Sequence, residues 1–264
     1  MIYRTSLNIF SLINFIYYDS FCFNVNKNRE IWKVYGNVFS KHSLELLFHM
    51  SAQGYFEDLE STISVGKEAN IFTAKTKHDD RIIVKIYRLE NCNFSKMYDY
   101  LNQDPRYTSL NKKTRLIIFA WTQREYRNLM LAREVIKVPK PIAFKDNILL
   151  MEFIGDNDPA PELKNLPPKN PKKFYKKVLD NIKKLFDKGL IHGDLSPFNI
   201  LNHNEEPIFI DFSQSTMTNA DNAKDLIVRD VKNISIYFRK FFPISEEDEL
   251  KTYNKIVGKK RVAK

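Results

Sequence analysis

The stretch Leu190-Ile191-His192-Gly193-Asp194-Leu195-Ser196-Pro197-Phe198-Asn199-Ile200-Leu201 constrains this chain more than any other. It reads as a loop held between regular elements. A helical pattern over Lys172–Lys188 stops at Gly189, a residue type that commonly ends helices. Beyond the loop, Ile200-Leu201-Asn202, a polar turn His203-Asn204-Glu205-Glu206, and Pro207-Ile208-Phe209-Ile210 read as a β-hairpin ending on Asp211. The hairpin brings Asp194, Asn199 and Asp211 to one end of a short ribbon. Asp and Asn form turns in any strand-loop-strand unit. Here, however, the spacing, the apolar flanks and Ile210-Asp211-Phe212 all agree with one another.

Those three side chains suit phosphoryl transfer. One carboxylate, Asp194, can orient an attacking hydroxyl or water. An amide oxygen, Asn199, and a second carboxylate, Asp211, offer the hard oxygen donors that Mg²⁺ prefers while it bridges phosphates. Asp followed five residues later by Asn is the spacing of a kinase catalytic loop, and Asp211 closes an apolar strand where a metal-binding Asp stands in such enzymes.

A chain of 264 residues holds one two-lobed domain or two small ones, and 43% hydrophobic residues suit a folded core. The 42 Lys and Arg against 32 Asp and Glu give a net charge of +10. That balance favours an anionic partner such as a nucleotide or RNA, although solubility accounts for part of it. Cys22 and Cys92 lie too far apart for a disulfide framework or a zinc site, which fits a reducing cytoplasm. Residues 1–25 are apolar but broken by Ser6, Asn8, Ser11, Asn14 and Asp19, so they suit neither a membrane span nor a signal peptide. They read as an added strand or helix, or as a plain extension.

Along the chain, residues 42–60 read as a short helix. Ser61 to Phe72 reads as strand, tight polar turn, strand, and the turn Ser64-Val65-Gly66-Lys67 can lay backbone N–H groups over phosphates. It has one Gly where ordinary kinase loops have three, and the chain has no Walker pattern. In the strand Arg81–Tyr87, Ile82, Val84 and Ile86 share one face and Lys85 shares the other with Ile83 and Tyr87. A lysine so flanked wants a carboxylate or phosphate partner. Residues 91–113 read as a long, polar, mobile insertion. A strong helix is expected over Thr114–Ile136, with Leu116, Phe119, Ala120, Tyr126, Leu129 and Met130 as its apolar stripe. Glu125 on that helix is the natural partner for Lys85, with Glu134 as a weaker alternative.

Strands Pro141–Lys145 and Asn147–Gly155 follow, and the Pro-rich segment 156–171 marks a lobe boundary. An adenine ring at that hinge would meet backbone groups of Glu152 and Ile154, with Met151 controlling access. Lys172–Lys188 shows an apolar face of Phe174, Val178, Ile182, Leu185 and Phe186. A further amphipathic helix is expected from Ala223 to Phe242, and the tail Gly258-Lys259-Lys260-Arg261 is basic. The organisation expected is an extension with a short helix over 1–60, a first lobe over 61–155, and a second lobe with a basic tail over 156–264.

Several segments resemble the RIO family of atypical serine/threonine protein kinases, in its Rio-one branch. They are Ile63–Ile71, Tyr98–Leu101 with Asp104-Pro105-Arg106, Glu125–Leu129, Val138–Pro141, Met151–Gly155, His192–Leu201, Ile210–Gln214 and Arg229–Ile234. They fall in order over residues 42–242. The resemblance implies an α+β, protein-kinase-like two-lobed fold, with a β-rich N-lobe and a mostly helical, truncated C-lobe. It implies use of ATP with Mg²⁺, Mn²⁺ being an alternative, and a role in maturing the small ribosomal subunit. Asp194 would be the catalytic base, and Asn199 and Asp211 the metal ligands. Lys85 with Glu125 would hold the phosphates, and Ser64, Gly66 and Lys67 would cover them. The resemblance also points to Asp211 as an aspartyl-phosphate. Val65 departs from the Thr that relatives often carry, and Gly193 from the Arg of an ordinary His-Arg-Asp motif. That Arg reads a phosphorylated activation loop, so such control is not expected. Only about fifty residues follow Asp211, too few for a peptide-docking platform, which favours autophosphorylation or ATP hydrolysis coupled to ribosome assembly.

The implied partner is the pre-ribosomal small subunit, through its rRNA or proteins. No DNA or membrane is expected, and the chain would be a monomer or weak dimer. Two other readings remain open: a small-molecule phosphotransferase of the aminoglycoside or choline kinase type, and a mainly non-catalytic ATP- and RNA-binding assembly factor.

Overall fold

The structure, a computed structural model, describes residues 39–258 apart from 91 and 108–111. The expectations for residues 1–25 and for the basic tail beyond Gly258 lie outside the described residues. The chain divides into two compact units, residues 1–45 and 46–264, and the second carries every strand among the described residues. Helix α1 (Lys41–Ala52) crosses that division and buries Leu47 and Met50.

Three strands come first, β1 (Asp58–Val65), β2 (Ala69–Lys75) and β3 (Arg81–Tyr87), as the alternation of apolar residues predicts. With β4 (Pro141–Lys145) and β5 (Ile148–Glu152) they form an antiparallel sheet in the order β1-β2-β3-β5-β4. β3 is therefore central. Its Lys85 lies opposite Ile71 on one side and Leu149 on the other. Both faces of β3 are covered, so Val84, Lys85, Ile86 and Tyr87 are all buried.

The expected polar insertion is instead a packed element. Helix α2 (Phe94–Asn102) starts where the Asn93 side chain accepts the Lys96 amide at 3.0 Å, and it buries Met97 and Leu101. A 3₁₀ turn, Pro105–Tyr107, follows. Met97, Leu101 and Tyr107 pack with Ile117, Ile118 and Trp121 of the long helix α3 (Thr114–Ala132). That helix stops four residues short of the expected Ile136, and its stripe differs too. Leu116 and Met130 are 41% and 38% exposed, while Trp121, Arg124, Glu125 and Asn128 are buried. The polar members of that face find partners from elsewhere in the chain, so local periodicity alone misplaces it.

After residue 152 the chain is mostly helical, giving the expected α+β arrangement. Helix α4 (Pro171–Asp187) buries Phe174, Val178, Ile182, Leu185 and Phe186, the face read from its spacing. A small ribbon, β6 (Leu190–Ile191) with β9 (Thr216–Met217), frames the central loop. The hairpin of β7 (Ile200–His203) and β8 (Glu206–Phe209) turns through Asn204 and Glu205, both at positive φ. Helix α5 (Ala223–Phe238) ends four residues before the expected Phe242. It carries Ile227, Val231, Ile234 and Phe238 into the core shared with α4. A further helix, α6 (Glu246–Val257), lies outside the elements expected from sequence and opens with a Ser245–Asp248 capping box.

Candidate active site

Lys85 anchors the site. From the centre of β3 its side chain points toward α3 and is 5% exposed. Its Nζ donates to Glu125 Oε1 at 2.8 Å and to Asp211 Oδ1 at 3.0 Å. The Tyr87 hydroxyl, two residues along the same face, donates to the other Glu125 oxygen. Glu134, the alternative partner, pairs with Lys188 at the surface instead. Burial works against the charge on Lys85, but Asp211 and Glu125 outweigh it and hold its pKa above the ordinary value. Partial burial pushes Asp211 up, and Lys85 outweighs this, so its carboxyl is held down at about 2. Both groups are charged at neutral pH.

The loop that defines the sequence closes over this pair. His192 is buried, and burial lowers its pKa to about 4, so the ring is neutral. Its Nε2 faces the Ile210 carbonyl at 3.0 Å, and its Nδ1 faces the Asp194 amide at 3.4 Å. A proton on Nε2 satisfies both contacts. The imidazole thus ties the loop to the end of the hairpin just before Asp211. Asp194 receives Gln214 Nε2 on Oδ2 at 3.0 Å, and its backbone carbonyl accepts Asn199 Nδ2 at 2.8 Å. Burial and the nearby Asp211 both push the Asp194 carboxyl upward. Asp211 sits at φ 61°, ψ 71°, a left-handed conformation that costs a non-glycine residue energy and often marks a functional position. Lys85, Glu125 and Asp211 thus form one hydrogen-bonded group, and Asp194 with Asn199 forms another that Gln214 ties to the turn after Asp211.

A supporting frame went unrecognised in the sequence. Asp230 on α5 is buried, and its two oxygens accept the Gly193 amide at 2.8 Å and the Leu195 amide at 2.9 Å, one on each side of Asp194. Asn233 donates to the Leu195 carbonyl at 3.2 Å, and Arg229 to the Gly193 carbonyl. On α3, Asn128 Nδ2 donates to the carbonyls of Phe212 (3.0 Å) and Ser215 (2.9 Å). Asn128 Oδ1 accepts Arg106, which forms a two-pronged pair with Asp104. The segment after Asp211 is thereby fastened to α3 and to the turn after α2. The framing side chains Asp104, Arg106, Asn128, Arg229, Asp230 and Asn233 all lie in segments that carry the family resemblance, but nothing local in the sequence gives their partners.

The remaining expected residues lie on the first sheet and its exit. Ser64 pairs with Ile71 at the end of β1, and Lys67 is exposed in the turn. The Gly66 amide donates to the Ala69 carbonyl at 2.9 Å, and a Cβ at Gly66 would stand 2.8 Å from that oxygen, so the tight turn requires glycine. Among the described residues no hydrogen bond joins Ser64, Gly66 or Lys67 to the Lys85 group. Met151 is buried beside β3, opposite Ile83. The Glu152 amide is taken by the Lys140 carbonyl and the Ile154 carbonyl by the Ala160 amide, each at 2.8 Å.

The donor set fits a hard divalent cation. Asp211 offers a carboxylate held in its charged form. Asn199 spends its Nδ2 on the Asp194 carbonyl, which leaves its amide oxygen as the end a cation can use.

Comparison with known proteins identifies the family. The RIO domain family matches residues 70–250. The chain is 40% identical over 210 residues to the RIO-type serine/threonine-protein kinase Rio1 of Methanocaldococcus jannaschii, covering 79% of this chain and 72% of that protein. It is 34% identical over 226 residues to the protein of the same name from Haloferax volcanii, covering 85% and 78%. Among solved structures it resembles the Rio2 kinase-ADP/Mg²⁺-phosphoaspartate complex from Chaetomium thermophilum. There the TM-score is 0.59 and the identity 25%, over 78% of this chain and 64% of that one. The chain belongs to the RIO family of atypical serine/threonine protein kinases, in its Rio1 branch.

Proposed function

We propose that this kinase uses ATP with Mg²⁺ to phosphorylate hydroxyl groups, its own among them, and to hydrolyse ATP during small ribosomal subunit assembly. One observation carries the chemistry: Lys85 is held at 2.8 Å from Glu125 and 3.0 Å from Asp211, with Asp194 hydrogen-bonded to the turn that follows Asp211. Lys85, oriented by Glu125, would bind phosphate oxygens. Asp194 would take the proton of the attacking hydroxyl or water, an assignment favoured by burial and by Asp211, both of which raise its pKa. Asp211 and Asn199 would hold Mg²⁺, or Mn²⁺ through the same oxygens. That cation neutralises phosphate charge when bound. Ser64, Gly66 and Lys67 would cover the phosphates, and Met151, Glu152 and Ile154 would bound the adenine site.

Asp211 is also the proposed acceptor in an aspartyl-phosphate, its carboxylate oxygen bonding to the γ-phosphorus as the β,γ-bridging P–O bond breaks and ADP leaves, since the solved Rio2 complex named above contains a phosphoaspartate. A ribosomal partner is supported by the net charge of +10 and by the exposed lysines 172, 173, 176 and 184 on α4. A cytoplasmic site of action fits that partner, and no described helix is long and apolar enough to cross a membrane. The test is turnover of γ-labelled ATP by the purified protein with Mg²⁺. Asp194→Ala and Asp211→Asn are each expected to abolish it, and undiminished turnover in both variants refutes the mechanism.

A further inference from the structure

Gln214 is the group in direct side-chain contact with the proposed base that the phosphoryl-transfer reading leaves without a task. It ends the 3₁₀ turn Phe212–Gln214 that begins immediately after Asp211. From there its Nε2 reaches back and donates to Asp194 Oδ2 at 3.0 Å. The approach is built into the backbone on both sides. Gly193 sits at φ +77°, and a Cβ on it would stand 3.0 Å from the Gln214 carbonyl oxygen, so the two loops touch only because residue 193 has no side chain. Asp230 fixes the amides of Gly193 and Leu195, and Asn128 fixes the carbonyls of Phe212 and Ser215. Both ends of the Gln214–Asp194 contact are thus held by buried hydrogen bonds, and the Gln214 amide spans the gap between them.

We infer that Gln214 is a positioning residue for phosphoryl transfer: its amide pins Oδ2 of Asp194, leaving Oδ1 as the oxygen that meets the acceptor hydroxyl. The inference rests on Asp194 being the base. A carboxylate free to rotate about its Cβ–Cγ bond presents either oxygen at a spread of angles, and misplacement of a catalytic group by about 1 Å costs on the order of a hundredfold in rate. A donor to one oxygen removes that freedom without adding charge. It also ties the base to the same turn that carries Asp211, so the two carboxylates keep their relative placement as one unit.

The experiment compares Gln214→Ala with Gln214→Met, which keeps the length and volume of the side chain and deletes the donor. Steady-state phosphorylation is measured at varied Mg-ATP concentration, with nucleotide affinity measured separately by calorimetry. Both variants are expected to lose about tenfold to a hundredfold in kcat while KM and Kd for Mg-ATP stay within about twofold of the parent. In an Asp194→Asn background, Gln214→Met is expected to add no further loss. A Gln214→Met protein with parental kcat overturns the inference and leaves only a packing role. So does a loss confined to KM. If Asp194→Asn itself retains full turnover, the base assignment fails first, and that outcome is distinct from failure of the Gln214 role alone.

Discussion

Replacing Glu125 with glutamine separates what the Lys85 pair does for the fold from what it does for chemistry. The side chains of Lys85 and Glu125 are 6% and 1% exposed, so their charges have little access to water. Removing one member of a buried pair costs about 3–5 kcal/mol, because the other charge is left without compensation. Here Asp211 remains 3.0 Å from Lys85 and the amide oxygen still accepts a hydrogen bond, which places the loss at the lower edge, about 3 kcal/mol. For a domain of this size each kcal/mol moves Tm by about 2–4 °C, so Glu125→Gln is expected to melt about 6–12 °C below the parent in a circular dichroism scan. The triple variant Lys85→Met/Tyr87→Phe/Glu125→Leu removes both buried charges and the hydroxyl that donates to Glu125. Asp211, whose side chain is 40% exposed, keeps contact with water. That variant is expected to regain most of the lost Tm while remaining unable to turn over ATP, since apolar replacement of a whole buried pair is often neutral or stabilising. A Glu125→Gln protein melting within about 2 °C of the parent, or a triple variant less stable than the single, refutes the reasoning.

Two further predictions concern the loop. Burial holds His192 near pKa 4, against 6.5 for a free histidine, so unfolding takes up a proton between those values and stability rises with pH across them. Asp230 has the opposite sign: burial raises it from 3.8 to about 7, so unfolding releases a proton in that window and stability falls as pH rises. The two nearly cancel around pH 5. Relative to the parent, His192→Asn is expected to lose stability with rising pH and Asp230→Asn to gain it, each by up to about 1.4 kcal/mol per pH unit in urea titrations. Profiles parallel to the parent's in both variants contradict the assignment. Gly193→Ala forces a left-handed alanine against the Gln214 carbonyl, and is expected to cost about 1–2 kcal/mol together with most of the kcat. An alanine variant with parental melting and turnover shows that the loop accommodates a Cβ.

Much of the site was legible because its signals are local. The alternation of Arg81–Tyr87 exposes a lysine among apolar neighbours, and the spacing of Asp194, Asn199 and Asp211 survives as a pattern whatever surrounds it. The face of α4 was equally plain, since apolar residues at helical spacing need no partner to identify them. What failed was long-range satisfaction of polar groups. On α3, Arg124 meets Asp104, Glu125 meets Lys85 and Asn128 meets the carbonyls after Asp211, so charged and amide side chains face inward while Leu116 faces water. No window of sequence contains those partners. Helix α2 hid for a related reason: only Met97 and Leu101 are fully buried in it, diluted among Tyr, Lys and Asp. Asp230 and Gln214 could not be assigned a task without coordinates, because the amides and carboxylate they meet lie about twenty to forty positions away.

The left-handed backbone at Asp211 decides which inactive form of this kinase will be useful. Alanine there loses the carboxylate and also strains against a torsion it dislikes, so a dead protein could be dead for either reason. Asparagine tolerates that torsion and preserves the outline of the side chain. A chain carrying it should stay properly assembled yet be unable to fire, which makes it the form of choice for capturing whatever macromolecule this kinase visits before the phosphate moves.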